Sequence, residues 1–195
     1  MPSQRFSDTQ EFAGVMRRID MALPEGEWCL IGGRAVELWA NPPQTPDIDI
    51  LIAKDLENLE ADLGALERAG ILPCAPWEPG GIAFLKDAET GTEIDVLGNS
   101  EPLLNAMVYA AHVVTVHGVS FPVATAEDMV ILKARMLADP QGALMGRATA
   151  KRKRDRKAIR AIAAAQTLDA DYIRKTLTQE RWGEELEILR KLGVL

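Results

Sequence analysis

The sequence predicts an α+β fold: a mixed β-sheet flanked by helices, followed by a helical C-terminal part. Short apolar runs read as strands, from Trp28 to Ile31, Asp47 to Ala53, Ile82 to Lys86 and Thr92 to Leu97. Stretches with apolar residues at helical spacing are interleaved with them. Beyond Pro122 the strand signals stop and only helical patterns remain. The division falls at residues 1–123 for the sheet-bearing core and 124–195 for a helical subdomain.

Asp8-Thr9-Gln10-Glu11 reads as an N-cap with its reciprocal acid, and Phe12, Val15, Met16, Ile19 and Leu23 continue an amphipathic helix that Pro24 stops. The buried strand Trp28 to Ile31 breaks at Gly32-Gly33 into a helix of about two turns, ended by Asn41-Pro42-Pro43. After the second strand, Leu56, Leu59, Leu63 and Leu66 mark a helix from Asp55 with its stop at Gly70. The polar connection Asp87 to Gly91 suits a hairpin between the third and fourth strands. Ser100 with Pro102 opens the next helix, and His117-Gly118 turns a hairpin between His112 to Val116 and Val119 to Val123. Thr125 caps a helix running to about Leu137, where Asp139-Pro140 ends it; two or three further helices fill Arg147 to Leu195.

The chain of 195 residues is long enough to bury one sizeable core. A formal net charge of −7 argues against a surface that binds polyanions everywhere. Lys151-Arg152-Lys153-Arg154-Asp155-Arg156-Lys157 is the exception, a cationic block that reads as a solvated helix start, a wall for a triphosphate, or a landing site for RNA phosphates. Two cysteines and two histidines are too few for a disulfide framework or a zinc site. The first residues lack an apolar signal core, and no stretch approaches 18 uninterrupted apolar residues. A soluble, cytoplasmic protein with no membrane partner is the expectation.

Asp47 and Asp49 alternate with Ile48 and Ile50, so both carboxylates point to one face of their strand. Two such acids repel each other and are costly to desolvate, so a divalent cation between them is the simplest way to keep them together. Glu93 and Asp95 share a face of the later strand in the same way, and three acids converge if the two strands are neighbours. Carboxylates around Mg²⁺ serve phosphoryl or nucleotidyl transfer, where metal charge offsets that of a triphosphate. Gly32-Gly33 at a helix start fits the phosphate end of that chemistry, because backbone N–H groups there can approach anionic oxygens. Taken alone, a glycine pair is an ordinary turn and an acid pair an ordinary edge-strand feature; their order along the chain is what points to a site.

The segments IGGRAVELW, TPDIDILI, TEIDVLG, FPVATAEDMVILKARM and KRKRDRKAIRAI, between Trp28 and Ala164, resemble the nucleotidyltransferase superfamily of DNA polymerase β type. They are similar in particular to small bacterial members grouped with the AbiEii toxins and the aminoglycoside nucleotidyltransferases. The resemblance implies a nucleotidyltransferase-type sheet and Mg²⁺- or Mn²⁺-dependent transfer of a nucleoside monophosphate from an NTP. The acceptor would be an RNA end, a protein or a small molecule, and a toxin–antitoxin role with a cognate toxin or antitoxin partner is among its implications. It assigns Asp47, Asp49 and Asp95 to metal binding and catalysis, and Gly32 and Gly33 to the nucleotide phosphates. Thr45 is retained from the segment before the acid pair, and Lys133 and Asp155 match nucleotide-side positions.

The chain departs from its relatives where Pro43-Gln44-Thr45-Pro46 stands in place of a segment carrying an arginine. Arg34, after the glycine pair, either contacts phosphate or faces solvent. The missing arginine keeps a second reading open, a weakened transferase fold that acts as a binding or antitoxin module. A glycosyltransferase that uses the acid pair to hold a sugar nucleotide is a minor third. His112 and His117 read as ordinary hairpin positions, the Met129, Leu132, Met136 stripe as core, and Trp77 and Trp182 as packing residues that could also stack on a base.

Overall fold

The computed structural model describes residues 9–40, 47–54, 58–75, 82–98, 101–138 and 148–195. The chain divides into two compact units, Met1–Glu37 with Gln44–Thr125, and Leu38–Pro43 with Ala126–Leu195.

In the first unit, helix α1 (Gln10–Ala22) begins at Thr9, whose hydroxyl accepts the Phe12 N–H at 3.1 Å. The sequence puts this cap one residue earlier at Asp8, which lies outside the described residues. Thr9 has the extended backbone a cap requires, at φ −102° and ψ 155°. The α1 face of Phe12, Val15, Met16 and Ile19 is fully buried, and the Phe12 ring meets Phe121 edge to face at 5.8 Å.

Among the described residues, seven strands form one mixed sheet: β1 (Trp28–Ile31), β2 (Ile48–Ile52), β3 (Ile71–Pro73), β4 (Ile82–Asp87), β5 (Glu93–Gly98), β6 (His112–Val116) and β7 (Val119–Val123). Their order is β3-β4-β5-β2-β1-β7-β6. β1 lies inside the sheet, antiparallel to β2 and parallel to β7, which explains why all four of its residues are buried. β2 runs parallel to β5 with Ile48, Asp49 and Ile50 opposite Ile94, Asp95 and Val96. The predicted hairpins form, β4 with β5 and β6 with β7. His117 and Gly118 are both left-handed, at φ 48° and 76°, as a two-residue hairpin turn demands.

β3 is the strand the sequence does not announce. It has three residues and carries Pro73 at the sheet edge, where a missing N–H costs no ladder bond.

Helix α2 (Gly32–Trp39) follows β1 directly. Helix α3 (Leu59–Arg68) buries Leu59 and Leu66 and is followed by left-handed Gly70. Leu56, the first apolar position expected for it, lies outside the described residues. A Cβ on Gly98 would collide with the Leu59 side chain, so the end of β5 must be glycine for α3 to sit where it does. Helix α4 (Pro102–Tyr109) carries its proline in the first turn. Arg18 on α1 holds the Asp87 carboxylate at 2.8 and 2.9 Å, and Thr90 donates to it from both backbone and hydroxyl. Burial pushes the Asp87 carboxyl up, but the bonds from Arg18 and Thr90 outweigh it and hold the group below the usual carboxylate range.

The second unit is helical. Helices α6 (Ala148–Ala165), α7 (Ala170–Gln179) and α8 (Gly183–Lys191) pack against α5 (Ala126–Ala138), whose Met129, Val130, Ala134 and Leu137 are buried together with Ile159, Ile162, Ile173, Leu177 and Leu189. The expected core stripe holds at Met129, is half-buried at Leu132 and fails at Met136, which is 43% exposed. Tyr172 on α7 donates its hydroxyl to the buried Asp128 at 2.8 Å; burial first, then the Asp128 charge, pushes the phenol well above its ordinary range. The Arg135 guanidinium lies 4.5 Å from the centre of the Trp182 ring, so Trp182 packs under a cation.

Candidate active site

The parallel pairing of β2 with β5 closes the acid cluster. Asp49 lies directly opposite Asp95, and Asp47, two positions earlier, points to the same side as Asp49. Each of the three offers a carboxylate oxygen, and these oxygens all lie within 4.8 Å of one another. All three residues are half-buried. Glu93, the other acid on this face of β5, is exposed and stands outside the cluster.

Two local features suit the cluster to a divalent cation. Asp47 Oδ1 is buried and has no hydrogen-bond partner among the described residues, a cost that a metal–oxygen bond would remove. The donors are all hard carboxylate oxygens, the type that Mg²⁺ and Mn²⁺ prefer.

The glycine turn is built into the same arrangement. Gly32 is left-handed at φ 70°, and a Cβ there would fall inside the Asp49 carboxylate. The Gly33 N–H, at the start of α2, donates to Asp49 Oδ2 at 3.3 Å. Ile31, the residue before the turn, is opposite Asp49 in the β1–β2 ladder, so strand register brings turn and acid together. From sequence the pair reads as a phosphate seat; the need for Gly32 to admit Asp49 is visible only once β1 and β2 are paired.

Among solved structures, the chain is similar to an antigenic nucleotidyltransferase-like protein from Paracoccidioides brasiliensis, with a TM-score of 0.56 and 16% identity over 94% of this chain and 93% of that one. It is also similar to the antibiotic-resistance factor ANT(2'')-Ia, with a TM-score of 0.54 and 11% identity over 93% of this chain and 97% of that one. The chain has the nucleotidyltransferase fold. A third similarity, to the polyadenylate synthase of Megavirus, has a TM-score of 0.50 and 16% identity over 82% of this chain and 33% of that larger one. No protein-family model matches the sequence, and neither does any curated protein.

On this nucleotidyltransferase fold, Arg34 is buried and paired with Glu37 one helical turn later at 2.7 Å, so it does not face solvent. Thr45 and its neighbours Pro43, Gln44 and Pro46 lie outside the described residues, as does Trp77. In the helical unit Lys133 pairs with the buried Asp155 at 3.1 Å. The cationic block lies within α6 rather than at its first residue, and Arg152, Lys153, Arg156, Lys157 and Arg160 line a cavity of about 640 Å³. Its single acid, Asp155, turns inward to Lys133. His112 lies on β6 and His117 in the hairpin turn, both exposed. Among the described residues, no helix is long and apolar enough to cross a membrane.

Proposed function

We propose that the chain transfers a nucleoside monophosphate from an NTP to a hydroxyl or phosphate of an acceptor, with Mg²⁺ or Mn²⁺ held by Asp47, Asp49 and Asp95. The convergence of these three carboxylates beside a glycine turn carries the reading. A divalent cation bound there would supply charge neutralisation for the triphosphate and the leaving pyrophosphate.

The chain's own groups do the rest. Asp49 on β2 and Asp47 immediately before it fix ligand oxygens, and Asp95, on the neighbouring strand, takes the proton from the attacking acceptor oxygen. The new bond joins that oxygen to the α-phosphorus, the bond from the α-phosphorus to the bridging oxygen breaks, and pyrophosphate leaves with its electron pair. Gly32 and Gly33 place the N-terminus of α2 toward the β- and γ-phosphates, where backbone N–H groups and the helix end favour negative charge. The resemblance also assigns Arg34, Thr45, Lys133 and Asp155 to nucleotide binding. The cationic face of α6 offers phosphate clamps to a polyanionic acceptor such as RNA, and the resemblance to small toxins extends the reading to a toxin–antitoxin pair.

The test is incubation with each labelled NTP and Mg²⁺, alone and with candidate acceptors, for the wild type and Asp49→Asn. Pyrophosphate release that needs both the metal and Asp49 supports the transferase. If NTP with Mg²⁺ neither releases pyrophosphate nor raises the melting temperature, the reading fails and a binding module takes its place.

A further inference from the structure

We infer that Phe84 is a stacking platform for the terminal nucleoside of the acceptor, on the side of the acid cluster away from the glycine turn. The inference rests on the transferase reading above and names the class of acceptor it uses.

Strand β4 alternates between its two faces: Ala83, Leu85 and Asp87 are buried, while Ile82, Phe84 and Lys86 are exposed. In the antiparallel β4–β5 ladder Phe84 lies directly opposite Asp95, with Ile82 opposite Leu97 and Lys86 opposite Glu93. Residues paired this way share a face, with Cβ atoms about 4.5–5.5 Å apart. The Phe84 ring is therefore the cross-strand neighbour of the third carboxylate, on the face where Asp49 and Asp95 converge.

The order of strands gives the platform its role. Across β4, β5, β2 and β1 the sequence of features is Phe84, Asp95, Asp49 and then the turn that begins after Ile31. Phe84 and the glycine turn thus flank the acids from opposite sides. With the NTP phosphates on the glycine side, the group that reaches Phe84 is the one bearing the attacking oxygen at Asp95.

Phe84 is 53% exposed and Ile82 beside it 45%, an apolar strip next to a carboxylate cluster. A flat aromatic face there suits a nucleobase, because every base presents a π-face whatever its sequence. A nucleoside also carries its ribose hydroxyls one ring away from its base, a span comparable with the separation of a cross-strand pair. Strand β3 pairs with Leu85 to Asp87 of β4, and the Cys74 N–H donates to the Phe84 carbonyl at 2.9 Å, so the backbone beside the ring is already engaged.

The experiment uses the full chain and a short ribo-oligonucleotide ending in 2-aminopurine at its 3′ end, whose fluorescence is quenched by stacking. Phe84→Leu keeps apolar bulk without the ring, and Phe84→Tyr keeps the ring. The expected result is quenching with wild type and Phe84→Tyr, and with Phe84→Leu loss of the quench and about tenfold weaker binding. The gain in melting temperature from NTP with Mg²⁺ should be equal in all three. No binding to wild type, equal quenching by Phe84→Leu, or equal loss of the NTP effect in that variant would each overturn the assignment. So would a wild-type dimer in sedimentation that Phe84→Leu dissociates, since the strip would then bury a second copy. Absence of any NTP effect in wild type would count against the transferase reading alone, because the quenching comparison still decides the role of Phe84.

Discussion

Neutralising Asp47 should stabilise the metal-free chain and abolish its response to metal. The carboxylate oxygens of the cluster lie within 4.8 Å of one another, and at that separation two unit charges repel by about 3.5 kcal/mol at an effective dielectric constant of 20 and about 0.9 kcal/mol in bulk water. All three residues are half-buried, so water and salt screen them and the lower figure is the better guide. Asp47→Asn removes two such repulsions and, with Oδ1 unpartnered, breaks no hydrogen bond to that atom. The expected gain without metal is about 1–2 kcal/mol, read as a rise in the urea midpoint in chelator-treated buffer. In Mg²⁺ at a hundred times its dissociation constant, wild type should gain about 2.7 kcal/mol and the variant far less, so the order of stabilities inverts. A metal-free variant less stable than wild type would mean the protein itself holds Asp47 in place. Equal gains from Mg²⁺ would put the metal elsewhere.

Three other substitutions probe the supports. Gly32→Ala combines a left-handed backbone, worth about 1–2 kcal/mol, with displacement of the Asp49 carboxylate, so a loss of about 2–4 kcal/mol and of metal response is expected in the same urea assay. Lys133→Met strands the buried Asp155 carboxylate and should cost about 2–4 kcal/mol, most of it recovered in Lys133→Met with Asp155→Leu, as a double-mutant cycle would show. The depressed Asp87 carboxyl contributes stability above its unfolded value near pH 4 that is lost as pH falls through its lower folded value. Arg18→Met should therefore destabilise the chain at pH 7 and flatten the fall in urea midpoint below about pH 4.

The parts of the site set by local periodicity were legible in the sequence. Alternation along β2 puts Asp47 and Asp49 on one face whatever the neighbouring strand, and the break at Gly32-Gly33 separates β1 from α2 wherever the helix later packs. Strand β3 was not legible, since three residues with an edge proline carry no alternation to read. The solvent alternative for Arg34 failed because Glu37, one turn on, gives the guanidinium a partner in the interior, an arrangement that charge alone does not announce.

What remained conditional was everything that depends on strands distant in sequence. Asp95 joins the cluster only because β5 pairs with β2 rather than only with β4, a choice between neighbours that no short segment encodes. Gly32 must be glycine because β1 pairs with β2 in the register that sets Ile31 opposite Asp49. The place of Phe84 is hidden in the sequence for the same reason. Ile82-Ala83-Phe84-Leu85 is apolar on both faces, so the sequence does not distinguish outward from inward, and only the pairing with β5 turns the ring toward the acids. One sheet register thus fixes the third carboxylate and the aromatic neighbour together. A single-residue slip of β5 against β2 would turn Asp95 to the opposite face and dismantle the cluster, so the site is specified by the same apolar alternation, Ile94 and Val96 facing inward, that holds the sheet in place.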